Sequence, residues 1–411
     1  MVDSLADVEA EEKEQKRIDF NFPLLIVRTR LFDKIFDRLG NLRASKLISW
    51  VALAIVPIVA VIGLYLLSTS LITILSTPAA RDISRQLGPT SFLLLPGINP
   101  ILPVVYGWVG IVSAIIIHEG AHGIIARNRG FDVKSSGILF FLIIPIGAFV
   151  DVDEKQIAKA NAKDSLRVMA GGVAGNVIVA LVCIIAVLLI VNGLTPIVNG
   201  VYITSVTKGM PAQQAGLIAG DIFISVDNVS IKNYDLLANY MENKTPGDVI
   251  HVTVARGTNW KDNYSTSLTL TQSDSHAVMG VNLIDLMTNE RLKLYSTLNL
   301  TTVSIYIVPP SVEQGLVPFS DSLFPFYSSP LGSQWHVYAN IFFWVWFVNV
   351  NVAVFNALPI IPLDGGRMLN ISLKSFLAKK LNEKTISRIT YVVTAILICI
   401  LLSIIVIPFV L

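Results

Sequence analysis

The sequence predicts a polytopic α-helical membrane protein of about five or six transmembrane helices with one inserted, mostly β domain. Three observations predict this fold class: an apolar composition, several long apolar runs, and one polar region with alternating residues. Of the 411 residues, 53% are apolar and only 15% are charged, against roughly 45–50% and 25% in an average soluble domain. Because a chain of this length can bury a core without such an excess, the composition indicates a membrane as the solvent.

Charge and cysteine content exclude several classes of protein. The chain has 31 Lys and Arg against 29 Asp and Glu, a net charge of +2. This balance lacks the excess of positive charge that is typical of proteins that bind nucleic acid. Cys183 and Cys399 both lie in apolar runs, so we expect neither a disulfide framework nor a cysteine-based zinc site. Histidine and carboxylate would have to hold any bound metal.

The N-terminal region differs from the rest of the chain. Residues 1–21 are dense in charge and nearly free of large apolar residues, which is typical of a solvated tail rather than a signal peptide. We therefore expect residues 1–46 to form a cytosolic tail and basic flank.

Five apolar runs are long enough for the roughly 20 residues that a spanning helix needs. They are Leu47–Leu75, Leu102–Ala126, Val168–Leu194, Val337–Leu358 and Tyr391–Leu411. A sixth, weaker candidate is Leu292–Val308.

Lys and Arg in the flanks of these runs predict the orientation. Three clusters, within residues 28–46, 127–167 and 367–388, fall on one side if five spans alternate, and that side is expected to be the cytosol. The chain is then an integral protein of the cell membrane with a cytosolic N-terminus, and residues 195–335 lie outside.

One apolar segment does not fit the pattern of spans. Gly137–Val150 has only 14 residues, is interrupted by Gly and Pro, and is rich in β-formers, so it is too short to cross. It is either a re-entrant segment, partly extended strand, or a buried connector.

A polar region separates two parts of the membrane core. Residues 200–285 have Gly-rich turns and alternating stretches such as Ile222–Val226 and Val249–Ala255, which are typical of β-strands. The predicted organisation is a first membrane core over 47–195, the mostly β domain over 196–290, a connector over 291–335, and a second membrane core over 336–411.

The motif His118-Glu119-Gly120-Ala121-His122 carries the clearest chemical signal. On a helix, residues four apart lie on one face, so both imidazoles can reach one metal ion, with Glu119 beside a bound water. Three ionisable residues within five positions of an apolar run need a functional reason. The pattern is that of a zinc hydrolase.

The third ligand should lie at the same depth in the membrane. His118 lies about 24 Å along its span, near the cytosolic face. Asp364 follows the fourth run at that face. Because Pro359 and Pro362 interrupt the helix there, we expect non-helical backbone to present Asp364.

Taken together, these motifs show that the chain resembles the site-2 protease family of intramembrane zinc metalloproteases. The resemblance rests on the His118–His122 motif, on the later Asn356-x-x-Pro359-x-x-Pro362-Leu-Asp364-Gly motif, and on residues 209–228, which resemble the PDZ domains of membrane-linked proteases. It implies that His118, His122 and Asp364 ligate one zinc ion per chain, that Glu119 activates the water, and that Asn356 binds the substrate backbone or stabilises the oxyanion.

The third run contains a further element of the family. Gly172 and Asn176 match its Gly-x-x-x-Asn pattern, which implies close helix packing and a hydrogen bond from Asn176 into the site; plain helix packing is the alternative. Many relatives have proline where this chain has Ile361, and this difference leaves the shape of the loop open.

The resemblance implies a metalloendopeptidase that cleaves a membrane-anchored substrate in or near its transmembrane segment, and the expected partners are that substrate and the lipid bilayer. One alternative is a catalytically inactive scaffold that binds peptides through its PDZ-like domain. Another is a transporter, which would carry acidic residues along several spans. The sequence contains no signal for an oligomeric state.

Overall fold

A computed structural model describes residues 18–30, 32–142, 144–257, 260–273, 276–312 and 315–411. The chain divides into two compact units, the first formed by Met1–Cys183 with Trp344–Leu411 and the second by Ile184–Phe343. Most of the predicted N-terminal tail, residues 1–17, lies outside the described residues. The predicted domain boundaries remain predictions.

Helices dominate the first unit. Five helices of the described chain are long and apolar enough to cross a membrane: α2 (Arg43–Ser76), α4 (Val104–Asn128), α6 (Ala162–Asn192), α11 (Trp335–Ala357) and α13 (Glu383–Val410). Each overlaps one of the five predicted apolar runs, which confirms their positions. The shorter helices of this unit are α1 (Asp33–Gly40), α3 (Pro78–Leu87), α5 (Glu154–Lys159) and α12 (Asp364–Leu377), with a 3-10 turn at Pro89–Phe92.

The first unit also contains a four-stranded antiparallel sheet in the order β1-β2-β3-β4. Its strands are β1 (Ile18–Asn21), β2 (Leu24–Thr29), β3 (Val133–Phe141) and β4 (Ile144–Val152). The extended part of the prediction for Gly137–Val150 is therefore confirmed, while its re-entry into a membrane stays a prediction. Within residues 1–46, β1, β2 and α1 were not predicted from the sequence, although the β-forming residues of Leu24–Thr29 pair with β3 and α1 follows them.

Helix α4 lies between two other apolar helices and packs closely on both. A Cβ atom at Gly175 of α6 would lie 2.8 Å from the Cβ atom of Ala121. A Cβ atom at Gly110 of α4 would lie 2.8 Å from Val348 of α11. Since such distances leave no room for a side chain, these glycines allow the helices to approach as small residues do at membrane interfaces.

The second unit is rich in β-strands. Its main sheet has the order β10-β9-β7-β6-β13, with β8 paired to β7. The strands are β5 (Thr195–Pro196), β6 (Val201–Val206), β7 (Ile222–Val226), β8 (Val229–Ser230), β9 (Val249–Arg256), β10 (Asp262–Thr269), β11 (Thr271–Ser273), β12 (His276–Val278), β13 (Val281–Asp285) and β14 (Tyr327–Ser328). Its short helices are α7 (Pro211–Gln214), α8 (Tyr234–Glu242), α9 (Asn289–Tyr295) and α10 (Leu300–Ile307), and a 3-10 turn spans Phe324–Phe326.

Alternation along these strands produces the core of the second unit. Val201 and Ile203 of β6, and Ile250, Val252 and Val254 of β9, are fully buried, as period-two patterning requires. The weak sixth span predicted at Leu292–Val308 is absent from the described chain, because α9 and α10 are separate helices of seven and eight residues.

Candidate metal centre

The two histidines of the motif lie on one face of α4 and direct their Nε2 atoms into the same space. The Nε2 atoms of His118 and His122 are 3.3 Å apart, and the two rings meet edge to face with centroids 4.9 Å apart. Both side chains are buried. This is the geometry that a four-residue separation produces on a helix.

Asp364 completes the cluster from another part of the chain. Its Oδ2 atom lies 3.1 Å from the Nε2 atom of His118 and 3.1 Å from that of His122, and it is also buried. The three ligand atoms lie within 4.8 Å of one another, in the one such group found among the described residues. Two imidazoles and a carboxylate with this convergence fit the donor set of a catalytic zinc site.

The backbone around Asp364 differs from the prediction. Asp364 is the first residue of α12, not a residue of non-helical backbone, although the chain before it is irregular as predicted from Pro359 and Pro362. The helix restarts because Leu363 is extended and a carboxylate is favourable in a first helical turn.

Two glycines after Asp364 allow that helix to begin where it does. A Cβ atom at Gly365 would lie 2.1 Å from the carbonyl oxygen of Ala357, and one at Gly366 would lie 2.4 Å from the carbonyl carbon of Ile360. The first turn of α12 is therefore packed directly against the end of α11 and the loop. The sequence contains this signal as a Gly-Gly pair, but the pair alone does not indicate what it packs against.

A main-chain carbonyl orients the ring of His122. Its Nδ1 atom donates a hydrogen bond of 2.8 Å to the carbonyl oxygen of Val168, and because a carbonyl only accepts, the proton is on Nδ1. The lone pair is then on Nε2, the atom that faces His118 and Asp364. Such a second contact fixes the tautomer that a metal ligand needs.

Helix α6 packs against the two histidines through its Gly-x-x-x-Asn element, Gly172 to Asn176. A Cβ atom at Gly172 would lie 2.5 Å from the Nε2 atom of His122 and 2.6 Å from the Cε1 atom of His118. Asn176 is fully buried, and neither polar atom of its side chain has a hydrogen-bond partner among the described residues. The structure thus brings Gly172 to the histidines, whereas the hydrogen bond expected from Asn176 into the site is not formed.

Glu119 and Asn356 line one cavity of about 320 Å³ together with the three clustered residues. The Oε2 atom of Glu119 accepts a hydrogen bond of 3.1 Å from the main-chain N–H of Val150 in β4. The side-chain amide of Asn356 donates one hydrogen to the carbonyl oxygen of Val352 at 3.0 Å, which leaves its other N–H for a ligand. Sequence reasoning missed Val150, since a main-chain contact leaves no pattern in side chains.

A buried cluster of two histidines and a carboxylate beside a glutamate, with both histidines on a helix apolar enough to cross a membrane, has the donor set of a zinc hydrolase. The sequence profile described as peptidase family M50 matches residues 106–400. The chain belongs to this family, which confirms the resemblance to site-2 proteases.

Two curated relatives extend over most of the chain. The "Uncharacterized protein MJ0971" of Methanocaldococcus jannaschii is 24% identical over 390 residues, which cover 90% of this chain and 86% of the relative. The "Putative zinc metalloprotease CPE1693" of Clostridium perfringens is 26% identical over 329 residues, which cover 70% of this chain and 93% of the relative.

Solved structures match a smaller part of the chain. The PDZ domain of the SdrC-like protein Lmo2051 from Listeria monocytogenes is 26% identical, covers 21% of this chain and 90% of its own, and has a TM-score of 0.20. The second domain of the Listeria protein Lin2157 is 30% identical, covers 21% of this chain and 86% of its own, and has a TM-score of 0.19.

Proposed function

We propose that this chain is an intramembrane zinc metalloendopeptidase that hydrolyses a peptide bond in or near a transmembrane segment of another membrane protein. The observation that carries the proposal is the convergence of His118, His122 and Asp364 at distances of 3.1 to 3.3 Å. Membership of peptidase family M50 supports it.

His118, His122 and Asp364 would hold one zinc ion per chain. Three protein ligands leave a fourth position open, as catalytic zinc sites require. When bound, zinc would supply Lewis acidity toward a carbonyl and would lower the pKa of water.

The remaining groups of the cavity act on protons and charge. Glu119, which lies beside the cluster, takes a proton from the attacking water and later delivers it to the leaving amine. Asn356 donates its free N–H to the oxygen of the scissile carbonyl as negative charge develops there. Gly172 holds α6 against the two imidazoles, while Asn176, Pro359 and Pro362 act through the packing of α6 and of the loop.

Strand β4 is the element best placed to hold an extended substrate. It is the last strand in the sheet order, so one of its edges has no strand partner among the described residues, and Val150, Asp151 and Val152 line the cavity. A helical substrate must unwind before a bond is exposed, and pairing with a sheet edge would offset the lost hydrogen bonds.

The distribution of Lys and Arg supports an orientation. With the basic clusters of residues 28–46, 127–167 and 367–388 in the cytosol, the N-terminus is cytosolic and the β-rich region extracytoplasmic, in the cell membrane. The catalytic cavity then opens near the cytosolic face.

A groove in the second unit favours a peptide-binding role for the β-rich region, which we take to be PDZ-like. A cavity of about 330 Å³ is lined by Leu237 and Met241 of α8 and by Val281 and Leu283 of β13. Because β13 is the last strand of its sheet, a peptide could add to its edge. A purely scaffolding protein would not need the intact metal cluster and Glu119.

Replacement of Glu119 in the native cell tests the proposed activity. With Glu119→Gln, a membrane protein that is normally cut should accumulate uncut, whereas Glu242→Gln, at an exposed position of α8, should change nothing. A membrane proteome that is the same in both variants would contradict proteolysis by this site.

A further inference from the structure

The segment that includes α9 and α10 is unusual in composition. From Leu294 to Val312 the sequence has no Asp, Glu, Lys, Arg or His. The helices are nevertheless too short to cross a bilayer, since the eight residues of α10 extend only about 12 Å against a hydrocarbon core of roughly 30 Å. The apolar surface of this segment must therefore be covered in some other way than by crossing the bilayer.

One face of α10 is fixed to a helix that can cross a membrane. Tyr306 is fully buried, and its ring lies 6.2 Å from that of Phe319 and 6.4 Å from that of Phe343 in α11. Its hydroxyl group donates to the carbonyl oxygen of Tyr295 at 2.9 Å. Because Phe343 lies about 12 Å along α11 from Trp335, this ring contact holds Tyr306 at the third turn of α11.

The opposite face of the segment is apolar and uncovered. Leu300 is 90% exposed, Leu294 66%, Ile307 57% and Leu298 54%. Beside Phe343 in α11, the aromatic side chain of Phe342 is also exposed. An uncharged surface of this size, adjacent to an exposed face of a spanning helix, is not expected in contact with water.

We propose that the exposed apolar face from Leu294, in the last turn of α9, to Ile307 of α10 is immersed in the hydrocarbon of the bilayer, at the end where α11 begins. The pair forms an interfacial anchor that fixes the β-rich unit to the membrane surface. Lys293, exposed in the last turn of α9 and directly before Leu294, is placed to meet lipid headgroup phosphates, as basic residues do on interfacial helices. The uncharged surface offers no charge pattern that would select a protein partner, and this favours lipid as its occupant.

Site-directed spin labelling of the full chain in liposomes tests this proposal without reference to proteolysis. With Cys183 and Cys399 replaced by alanine, single labels are attached through Leu294→Cys, Leu300→Cys and Ile307→Cys. Leu402→Cys, on the exposed face of α13, is the lipid control, and Glu242→Cys, at an exposed position of α8, is the water control. Collision with oxygen and with a water-soluble nickel complex is then measured.

The proposal predicts that the three labels resemble Leu402→Cys, with high oxygen accessibility and little contact with nickel. Nickel accessibility equal to that of Glu242→Cys would overturn it, since the face would then be in water. Protection from both reagents at all three positions would also overturn it, because protein would then cover the face. Three separate positions keep the result interpretable if one variant fails to fold.

Discussion

The main-chain N–H of Val150 donates a hydrogen bond of 3.1 Å to the Oε2 atom of Glu119. The contact joins the last strand of the sheet to the glutamate of the HExxH motif. The N–H that makes it points away from β3, although the Cα atom of Val150 is paired in register with that of Ser136. Strand β4 thus orients the carboxylate without using its ladder.

Val150→Pro should lower kcat while leaving zinc content unchanged. Proline removes the N–H but is tolerated on a sheet edge where that group takes no part in the ladder. A hydrogen bond to a charged group contributes about 1.5–3 kcal/mol, so its loss corresponds to a roughly 10- to 150-fold lower rate. Steady-state cleavage kinetics and metal analysis measure both quantities.

Ala148→Pro is the matched control. Ala148 lies two residues before Val150 on β4, so the main-chain N–H groups of the two residues point to the same side of the strand. This variant should raise KM more than it lowers kcat, because the substrate is proposed to pair with this edge of β4. Equal losses of kcat in the two variants would show that Val150 has no particular role in orienting Glu119.

Gly172→Ala should lower the affinity for zinc. Its new methyl group would lie 2.5 Å from the Nε2 atom of His122, so the ring or α6 must move. Displacement of groups that support metal ligands typically costs 10- to 100-fold in affinity or activity. Competition with a zinc chelator measures the change.

Gly120→Ala provides the control within the motif itself, since a Cβ atom there meets nothing within 4 Å. We expect its zinc affinity to equal that of the native chain. If both glycine variants bind zinc normally, the packing of α6 against the histidines does not constrain the site.

Acid should destabilise the β-rich unit partly through Asp227. The main-chain N–H of His251 donates to its Oδ1 atom at 2.7 Å, and Tyr240 and Lys244 donate to Oδ2. The His251 N–H, followed by the Tyr240 hydroxyl group, holds the pKa of Asp227 below its ordinary value.

A lowered pKa in the folded state gives stability that is present above the unfolded pKa of roughly 4 and is lost as the pH falls through the folded value. Calorimetry of the full chain between pH 5 and pH 3 should show a larger fall in Tm for the native chain than for Asp227→Asn. If Tm falls equally in the two proteins, Asp227 does not contribute to the loss of stability in acid.

The sequence predicts this fold and site best where side-chain chemistry is concentrated. The five long apolar helices follow from the apolar runs, and the convergence of His118, His122 and Asp364 agrees with the motif spacing and the predicted depth. Strands β1 and β2 were missed because β2 joins the sheet through β3, which is more than 100 residues away, and because short strands such as β1 carry a weak local pattern.

The contacts of the site that involve main chain are also invisible in the sequence. Val150 and Val168 act through their N–H and carbonyl groups, so any residue type other than proline could supply the first and any residue the second. The helical start at Asp364 depends on the close packing of Gly365 and Gly366, which only the folded chain reveals.

Zinc content and cleavage, measured together on one preparation, test the central claim most directly. The purified chain and its Glu119→Gln and Asp364→Asn variants are placed in liposomes with the membrane protein that accumulates in Glu119→Gln cells. We predict about one zinc ion per chain and cleavage for the native protein, zinc without cleavage for Glu119→Gln, and loss of both for Asp364→Asn. Undiminished cleavage by Glu119→Gln, or unchanged zinc in Asp364→Asn, would contradict the assignment.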